Sequence, residues 1–224
     1  MTLRPRGGRA ADEEVELKLV VLDPVAIRAL VLDPAAWIAG AIPRGPARTV
    51  EVEDRYLDTS GGALRSVGLV ARVRTVTGVR RLHLKSLARR GSGAVHRRLE
   101  LEGSAGEDDD PRGWPPSTAR DRLLGEIGAH PLVTLATLYQ RRFQRDVTVG
   151  TSVIELSLDE VEVSGHHGNQ RAVWTELECE LRTGGEADLE ALGEALASRR
   201  DLEPATTSKL ERALDVTRDP FTDR

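Results

Sequence analysis

The sequence predicts an α+β chain built on about eight antiparallel β-strands, closed as a barrel or stacked as a sandwich, with helices packed outside. Three observations carry this. Charged and apolar residues alternate strictly from Glu14 to Val21, with Glu14, Glu16 and Lys18 on one face and Val15, Leu17, Leu19 and Val21 on the other, the two-residue period of an extended segment. Further alternating segments lie near 48–58, 68–75, 79–87, 94–103, 138–149, 152–163 and 171–182. Turn signals separate them at Gly61-Gly62, Gly78, Gly91-Ser92-Gly93, Gly150 and Gly165 to Gly168.

The other elements follow in order. Residues 1–11 are Gly- and Arg-rich and aperiodic, so a disordered lead-in is expected; no apolar stretch follows Arg4, Arg6 and Arg9 to make a secretory signal. Helical text runs from Pro24 to Leu30 and again from Pro34 to Ile38. Residues 104–137 interrupt the strands: the acidic run Glu107 to Asp110, read as solvated surface, and Pro111, Pro115 and Pro116 predict a loop, followed by a helix over Thr118 to Ile127. Asp188 to Leu196 and Thr206 to Leu214 have helical period, and Ser208 or Thr207 is placed to cap the last helix. No internal repeat is visible.

Composition narrows the function classes. With 224 residues, 39% of them hydrophobic, the chain is long enough to bury a core as one domain or two small ones, which excludes a disordered protein. No apolar run approaches the ~20 residues of a membrane helix, and a cytoplasmic location is expected. The lone Cys179 excludes an internal disulfide and any Cys-based zinc spacing. A net charge of −4 gives no global attraction for nucleic acid, and no RNP-like aromatics or helix-turn-helix pattern accompany the arginines.

Taken together, the strands carry one charged face: Glu14, Glu16, Lys18; Arg72, Arg74; His83, Lys85; Arg98, Glu100, Glu102; Arg142; Glu155, Asp159; and Glu176, Glu178, Glu180. The opposite face carries Leu82, Leu84, Leu99, Leu101, Phe143, Val147, Val149, Ile154, Leu156, Leu158, Leu177, Cys179 and Leu181. On any single strand a charged face is simply the wet one. Here carboxylates come in i, i+2 pairs on three strands and the basic positions are mostly Arg. Paired carboxylates suit a hard divalent cation and Arg forks suit phosphate oxygens, so the combination describes a site for a metal-bound polyanion. Closing about eight strands gives an interior wide enough for a ligand, with the charges inside and helices over the apolar outer face. Arg145 shares the Phe143 and Val147 face and so falls outside that interior, Cys179 points to the core, and Arg97 interrupts the apolar face and is expected to reach solvent. His83 and His96 fall on the inward face, and His166-His167 reads as surface.

The residues resemble a CYTH domain of the triphosphate tunnel metalloenzyme superfamily. Glu14-Val-Glu16-Leu-Lys18 matches the ExExK signature, Tyr56-Leu-Asp58-Thr59 resembles the Y-x-D-T segment, and Leu69-Val-Ala-Arg72-Val-Arg74 resembles the L-x-x-R-x-R strand. The order continues with Lys85, Arg98-Leu-Glu100-Leu-Glu102, Arg142, Asp159, Glu176-Leu-Glu178 and Ser208-Lys209, covering roughly residues 12–215. Two departures stand out: no bulky apolar residue immediately precedes Arg72, and His83 stands where the family often has Thr or Ser.

The resemblance implies an eight-stranded antiparallel tunnel that binds triphosphate compounds with Mg²⁺ or Mn²⁺. Carried over by position, Glu14, Glu16, Glu100, Glu102, Asp159, Glu176 and Glu178 are candidate metal ligands, and Lys18, Arg72, Arg74, Lys85, Arg98, Arg142 and Lys209 would hold phosphates. Glu14, Glu16 and Lys18 are the candidate catalytic residues; Lys18 is expected to clamp phosphate, with a depressed pKa and a proton-transfer role as the alternative. The expected activity is hydrolysis of inorganic triphosphate to diphosphate and phosphate. A class IV adenylyl cyclase, a thiamine triphosphatase and a polyphosphate-binding module are the competing expectations; the scarcity of aromatics, with only Tyr56 and Trp174 placed near the tunnel, leans toward a bare phosphate chain. Residues 12–217 are expected as the tunnel domain. Residues 218–224 read as a tail, a candidate linker to a CHAD domain in a longer chain.

Overall fold

The structure, a computed structural model, describes residues 13–33, 40–87, 95–164 and 171–217. The lead-in, the Pro34 to Ile38 helix, the turns at 91–93 and 165–168, His166-His167 and the 218–224 tail lie outside the described residues.

Alternation becomes a closed barrel. The strands are β1 (Glu13–Val21), β2 (Ala41–Thr59), β3 (Leu69–Val76), β4 (Val79–Ser86), β5 (Val95–Ser104), β6 (Leu132–Val149), β7 (Ser152–Ser164), β8 (Arg171–Thr183) and the short β9 (Leu202–Pro204). They pair antiparallel in the order β5-β4-β3-β2-β6-β7-β8-β1, and a β1–β5 ladder from Glu13↔Leu99 to Leu17↔Val95 closes the ring. Above that ladder β9 takes the same edge of β1, with Leu19 opposite Pro204 and Val21 opposite Leu202.

Helices cover the apolar outer face: α1 (Pro24–Leu32), α2 (Ala63–Ser66), α3 (Thr118–Ile127), α4 (Glu186–Ala197) and α5 (Lys209–Thr217). Side-chain caps start α1, α3 and α5, whereas α4 begins after Gly185 with none. Asp23 accepts from the Val25 and Ala26 amides ahead of Pro24, and Ser117 accepts from Arg120 N. Ser208 and Glu211 form a reciprocal capping box at α5. On one side α1 and α4 bury Ile27, Leu30, Leu189, Leu192 and Leu196 against Val15, Leu17, Leu19, Leu156, Leu177 and Cys179. On the other, α2 and α3 bury Leu64, Leu123 and Ile127 against Leu69, Val73, Leu82 and Leu84. A third apolar cluster lies inside one end of the barrel, where Leu210 and Ala213 of α5 plug against Tyr56, Leu138, Val161, Val163 and Trp174.

Several boundaries differ from the sequence expectation. β2 begins at Ala41 rather than near 48, with a register shift between Arg44 and Arg48 that takes up the Gly45-Pro46 interruption. β6 begins at Leu132 rather than 138, because Leu132 to Ala136 pairs with Tyr56 to Thr59 although its sequence does not alternate. α5 begins at Lys209, not Thr206, and α2 and β9 are too short to leave a period. Leu99, expected on the buried face, is 46% exposed, because it lies opposite Glu13, the exposed first residue of β1. Arg97 does not end free in solvent; it pairs with Glu186 at the start of α4. Among the described residues no helix is long and apolar enough to cross a membrane.

Candidate active site in the barrel interior

Inward-facing positions on adjacent strands meet in register, and at most of these positions opposite charges face one another. Lys18 lies opposite Glu178, Glu14 opposite Arg98, Lys85 opposite Glu100, His83 opposite Glu102, and Arg142 opposite Asp159. Two acidic rows break the rule, as does the basic pair of Arg74 opposite Arg81. Asp159 faces Glu176, and Glu16, Glu180 and Glu155 follow one another across β1, β8 and β7. Like charges opposite each other are destabilising, so each acidic row requires a cation from elsewhere.

Near the plugged end, α5 supplies that cation. Lys209 Nζ lies 2.6 Å from Asp159 Oδ2, 2.8 Å from Glu176 Oε1 and 3.0 Å from Glu178 Oε1. Arg142 grips Asp159 with both arms, at 2.6 and 2.5 Å, and reaches Glu178 Oε2 at 3.1 Å. Lys18 donates to Glu178 Oε1 at 2.6 Å and lies 3.5 Å from Glu16. Midway along the barrel, Arg98 holds Glu14 at 2.6 Å and Glu16 at 2.8 Å, while Lys85 bridges Glu14 at 3.0 Å and Glu100 at 2.9 Å. Farther from the plug, His83 Nδ1 sits 2.7 Å from Glu100 Oε1 and 3.1 Å from Glu102 Oε1. The Glu16 row is held by Arg98 on one side and by Arg182, which donates to Glu180 at 2.6 Å and Glu155 at 2.8 Å, on the other.

The charges tune one another. Burial would raise the Glu14 and Glu178 carboxyls, but Lys85, Arg98 and Lys18 around the first, and Lys18, Lys209 and Arg142 around the second, hold both well below the usual range. Glu16, fully buried and with Glu14 and Glu178 as neighbours, is raised. Burial disfavours the charged form of Lys18, yet Glu16 and Glu178 outweigh it and push its pKa up. With no ion in the site, Glu16 and Glu178 thus favour the ammonium form of Lys18. Lys85 is the lysine that burial and the adjacent Arg98 push down. Burial, with Glu14, Glu155 and Glu100 nearby, raises Glu180 to about 7 despite Arg182, whose charge is shared with Glu155.

A cavity of about 140 Å³ opens inside the barrel beside α5, lined by Lys18, Arg72, Lys85, Arg98 and Lys209 together with Tyr56 and Glu178. Arg72 Nε is buried there without a hydrogen-bond partner among the described residues. Among the described residues, two groups of carboxylate and imidazole atoms stand close enough to hold a metal ion: Asp159, Glu176 and Glu178, and His83, Glu100 and Glu102. Their oxygen-rich donor sets fit a divalent cation. A larger groove outside the barrel, about 720 Å³, runs past Arg28, Tyr139, Arg141, Glu160 and Val173, where Arg28 already pairs with Glu160.

All fourteen sequence-predicted site residues lie in the described part of the chain, and their register and ion pairs bring them into one interior. Arg74 stands slightly apart, tied by both arms to Asp54 at 2.7 Å. Asp54 was not singled out in the sequence, although it is fully buried and also accepts from Gln140 at 2.7 Å and Arg72 at 3.4 Å. Its signal was there: it shares the parity of Tyr56 and Asp58 on β2. Asp58 and Thr59 have a local task, since Asp58 accepts from the Thr59, Leu64 and Arg65 amides and Thr59 Oγ1 from Ala63 N, folding the turn into α2. Tyr56 lines the cavity, whereas Trp174 packs in the plug with Arg212 4.9 Å over its ring. Arg145 lies outside the barrel as expected, but it is buried and donates to the Leu32 carbonyl at 2.7 Å.

A family model described as the CYTH domain matches residues 12–214. Among solved structures, a candidate adenylyl cyclase from Hippeastrum, described as revealing a dominant triphosphatase activity, superposes with a TM-score of 0.64 at 21% identity, over 92% of this chain and 98% of that one. A candidate adenylate cyclase from Bacillus halodurans superposes with a TM-score of 0.56 at 15% identity, over 90% and 98% of the two chains. No curated protein matches the chain significantly in sequence.

Proposed function

Because the chain belongs to the CYTH domain family, we propose that it is a divalent-metal-dependent hydrolase that splits inorganic triphosphate into diphosphate and phosphate inside the barrel. The observation that carries this reading is the cavity: five cationic side chains converge on about 140 Å³, well below the 300–1,000 Å³ typical of drug-sized ligands. That favours a bare phosphate chain over one carrying a base or thiazole, and Tyr56 is the one aromatic residue in its lining.

Phosphoryl transfer asks the protein mainly to hold the phosphates in line and to neutralise developing charge. Lys18, Arg72, Lys85, Arg98 and Lys209 would bind phosphate oxygens at the cavity, with Arg142 and Arg74 behind them. Glu14, Glu16, Glu100, Glu102, Asp159, Glu176 and Glu178 would hold Mg²⁺ or Mn²⁺, and a bound ion would add charge neutralisation and lower the pKa of a coordinated water. Lys18, wedged between Glu16 and Glu178, clamps phosphate as a fixed positive charge. The same reading takes 12–217 as the tunnel domain and 218–224 as a linker toward a CHAD domain in a longer chain.

Phosphate release by the purified chain tests it, with Mg²⁺ or Mn²⁺ and inorganic triphosphate, ATP, thiamine triphosphate or long-chain polyphosphate as substrate, and Glu16→Gln as control. Fast, Glu16-dependent release from triphosphate supports the reading. Tight polyanion binding without release from any substrate would make the chain a polyphosphate-binding module, and ATP consumed without phosphate release would point to cyclisation.

A further inference from the structure

His83 is an inward-facing group that the proposed chemistry leaves without a task. It is 6% exposed, and its Nε2 is buried with no hydrogen-bond partner among the described residues. Its Nδ1 faces two carboxylate oxygens at once, Glu100 Oε1 at 2.7 Å and Glu102 Oε1 at 3.1 Å. An imidazole nitrogen offers one proton or one lone pair, so it cannot serve both oxygens equally. A divalent ion about 2.1 Å from each ligand atom would space those atoms about 3.0–3.4 Å apart; the Glu102 contact falls in that range, the Glu100 contact is shorter, and all three ligand atoms lie within 4.8 Å of one another.

The surroundings support an ion. His83 lies directly opposite Glu102, and Glu100 follows on the same face of β5, so the set stands on two rigid, paired strands. Lys85 engages the other oxygen of Glu100, Oε2, at 2.9 Å, the outer contact that orients a ligating carboxylate. Arg72 stays 3.9 Å from Glu100, and Arg81 is the remaining cation acting on Glu102. The Glu102 side chain is 53% exposed, giving an ion a path from solvent.

The geometry points to a transition-metal site formed by His83, Glu100 and Glu102, distinct from the Asp159–Glu176–Glu178 cluster. One imidazole with two carboxylates suits Mn²⁺, Co²⁺ or Zn²⁺ better than Mg²⁺ or Ca²⁺. The site shares Glu100 and Glu102 with the metal-dependent reading above, so its test reads binding without substrate or turnover.

The full chain is titrated with Co²⁺ and followed by visible ligand-field absorption. The expected result is a band that survives millimolar Mg²⁺ but weakens in His83→Ser and Glu102→Gln, with affinity reduced at least tenfold. Thermal melts check that both variants fold, and Glu102, being half exposed, is the safer substitution. A Co²⁺ band absent from the parent chain, unchanged in the two variants, or displaced by Mg²⁺ would overturn the inference. A band that behaves as expected in a chain that releases no phosphate would leave this site standing and remove the hydrolase reading.

Discussion

The barrel holds two acidic clusters, and they are balanced in opposite ways. At the plugged end Asp159, Glu176 and Glu178 enclose an ammonium from their own chain, Lys209, backed by Arg142 and Lys18. Toward the other end Glu100 and Glu102 share one imidazole, Lys85 pairs with Glu100, and Glu102 is half in water. The first cluster is buried, so its carboxylates must be neutralised wherever they are ionised; the second can borrow neutralisation from solvent. The same residue types therefore carry different costs at the two ends, and substitutions should separate them.

The largest effect is expected at Glu178, which receives Lys18, Arg142 and Lys209. Glu178→Gln leaves three buried cations short of an anion; stability should fall by about 3–5 kcal/mol and phosphate release from triphosphate by more than about 100-fold. A denaturant titration with a release assay checks both, and near-parental stability would mean that the plugged cluster is wetter than it looks. Lys209→Met sharpens the contrast by emptying the acid cage of its internal cation. Melting should drop by a comparable amount without metal, and Mn²⁺ should raise the melting temperature more in the variant than in the parent. Equal Mn²⁺ shifts would show that Lys209 does not occupy a cation's place.

Smaller changes test single roles. Lys18→Arg keeps the charge but cannot give up a proton, so turnover within about tenfold of the parent is the expected result; loss beyond about 1,000-fold would restore a proton-transfer role. Glu180 sets the pH dependence on the open side. Its raised pKa means that the native state binds more protons than the unfolded chain between about 4.5 and 7, so this group's contribution falls as pH rises through that window. Glu180→Gln should match the parent at pH 4 and exceed it by about 1 kcal/mol at pH 8, a figure discounted for partial exposure. Glu14, Asp54, Asp159 and Glu178 act in the other direction: their lowered values give stability that is present above the ordinary carboxylate range and lost as pH falls below it.

Much of this was legible because strand parity is a strong local code. The predicted site charges on the strands, from Glu14 to Glu178, lie on the parity that the structure turns inward, and α3 spans the expected Thr118 to Ile127. What parity could not reveal was pairing. The sequence reading saw acids and bases grouped strand by strand, but their neutralisation runs across strands, from Glu14 to Arg98 and from Glu178 to Lys18, and depends on register. Asp54 escaped for the same reason: its partners Arg72, Arg74 and Gln140 are brought to it only by β3 and β6. Local breaks in period hid the rest, from the bulge near Gly45 to the three-residue β9.

The seam at β1 has a kinetic consequence. One edge of β1 takes β5 and then β9, and the other takes β8, so the first described strand waits for the last ones: Glu16 meets Glu180, and Leu19 meets Pro204. Loop closure over most of the chain precedes those contacts, which places folding among slow, high-contact-order topologies, on the order of milliseconds to seconds. Until the ring shuts, the charges that meet only across the β1 seams, Glu14 with Arg98 and Lys18 with Glu178, remain hydrated and mutually unpaired. Ionic strength should then change the rate of closure more than the rate at which the finished barrel opens.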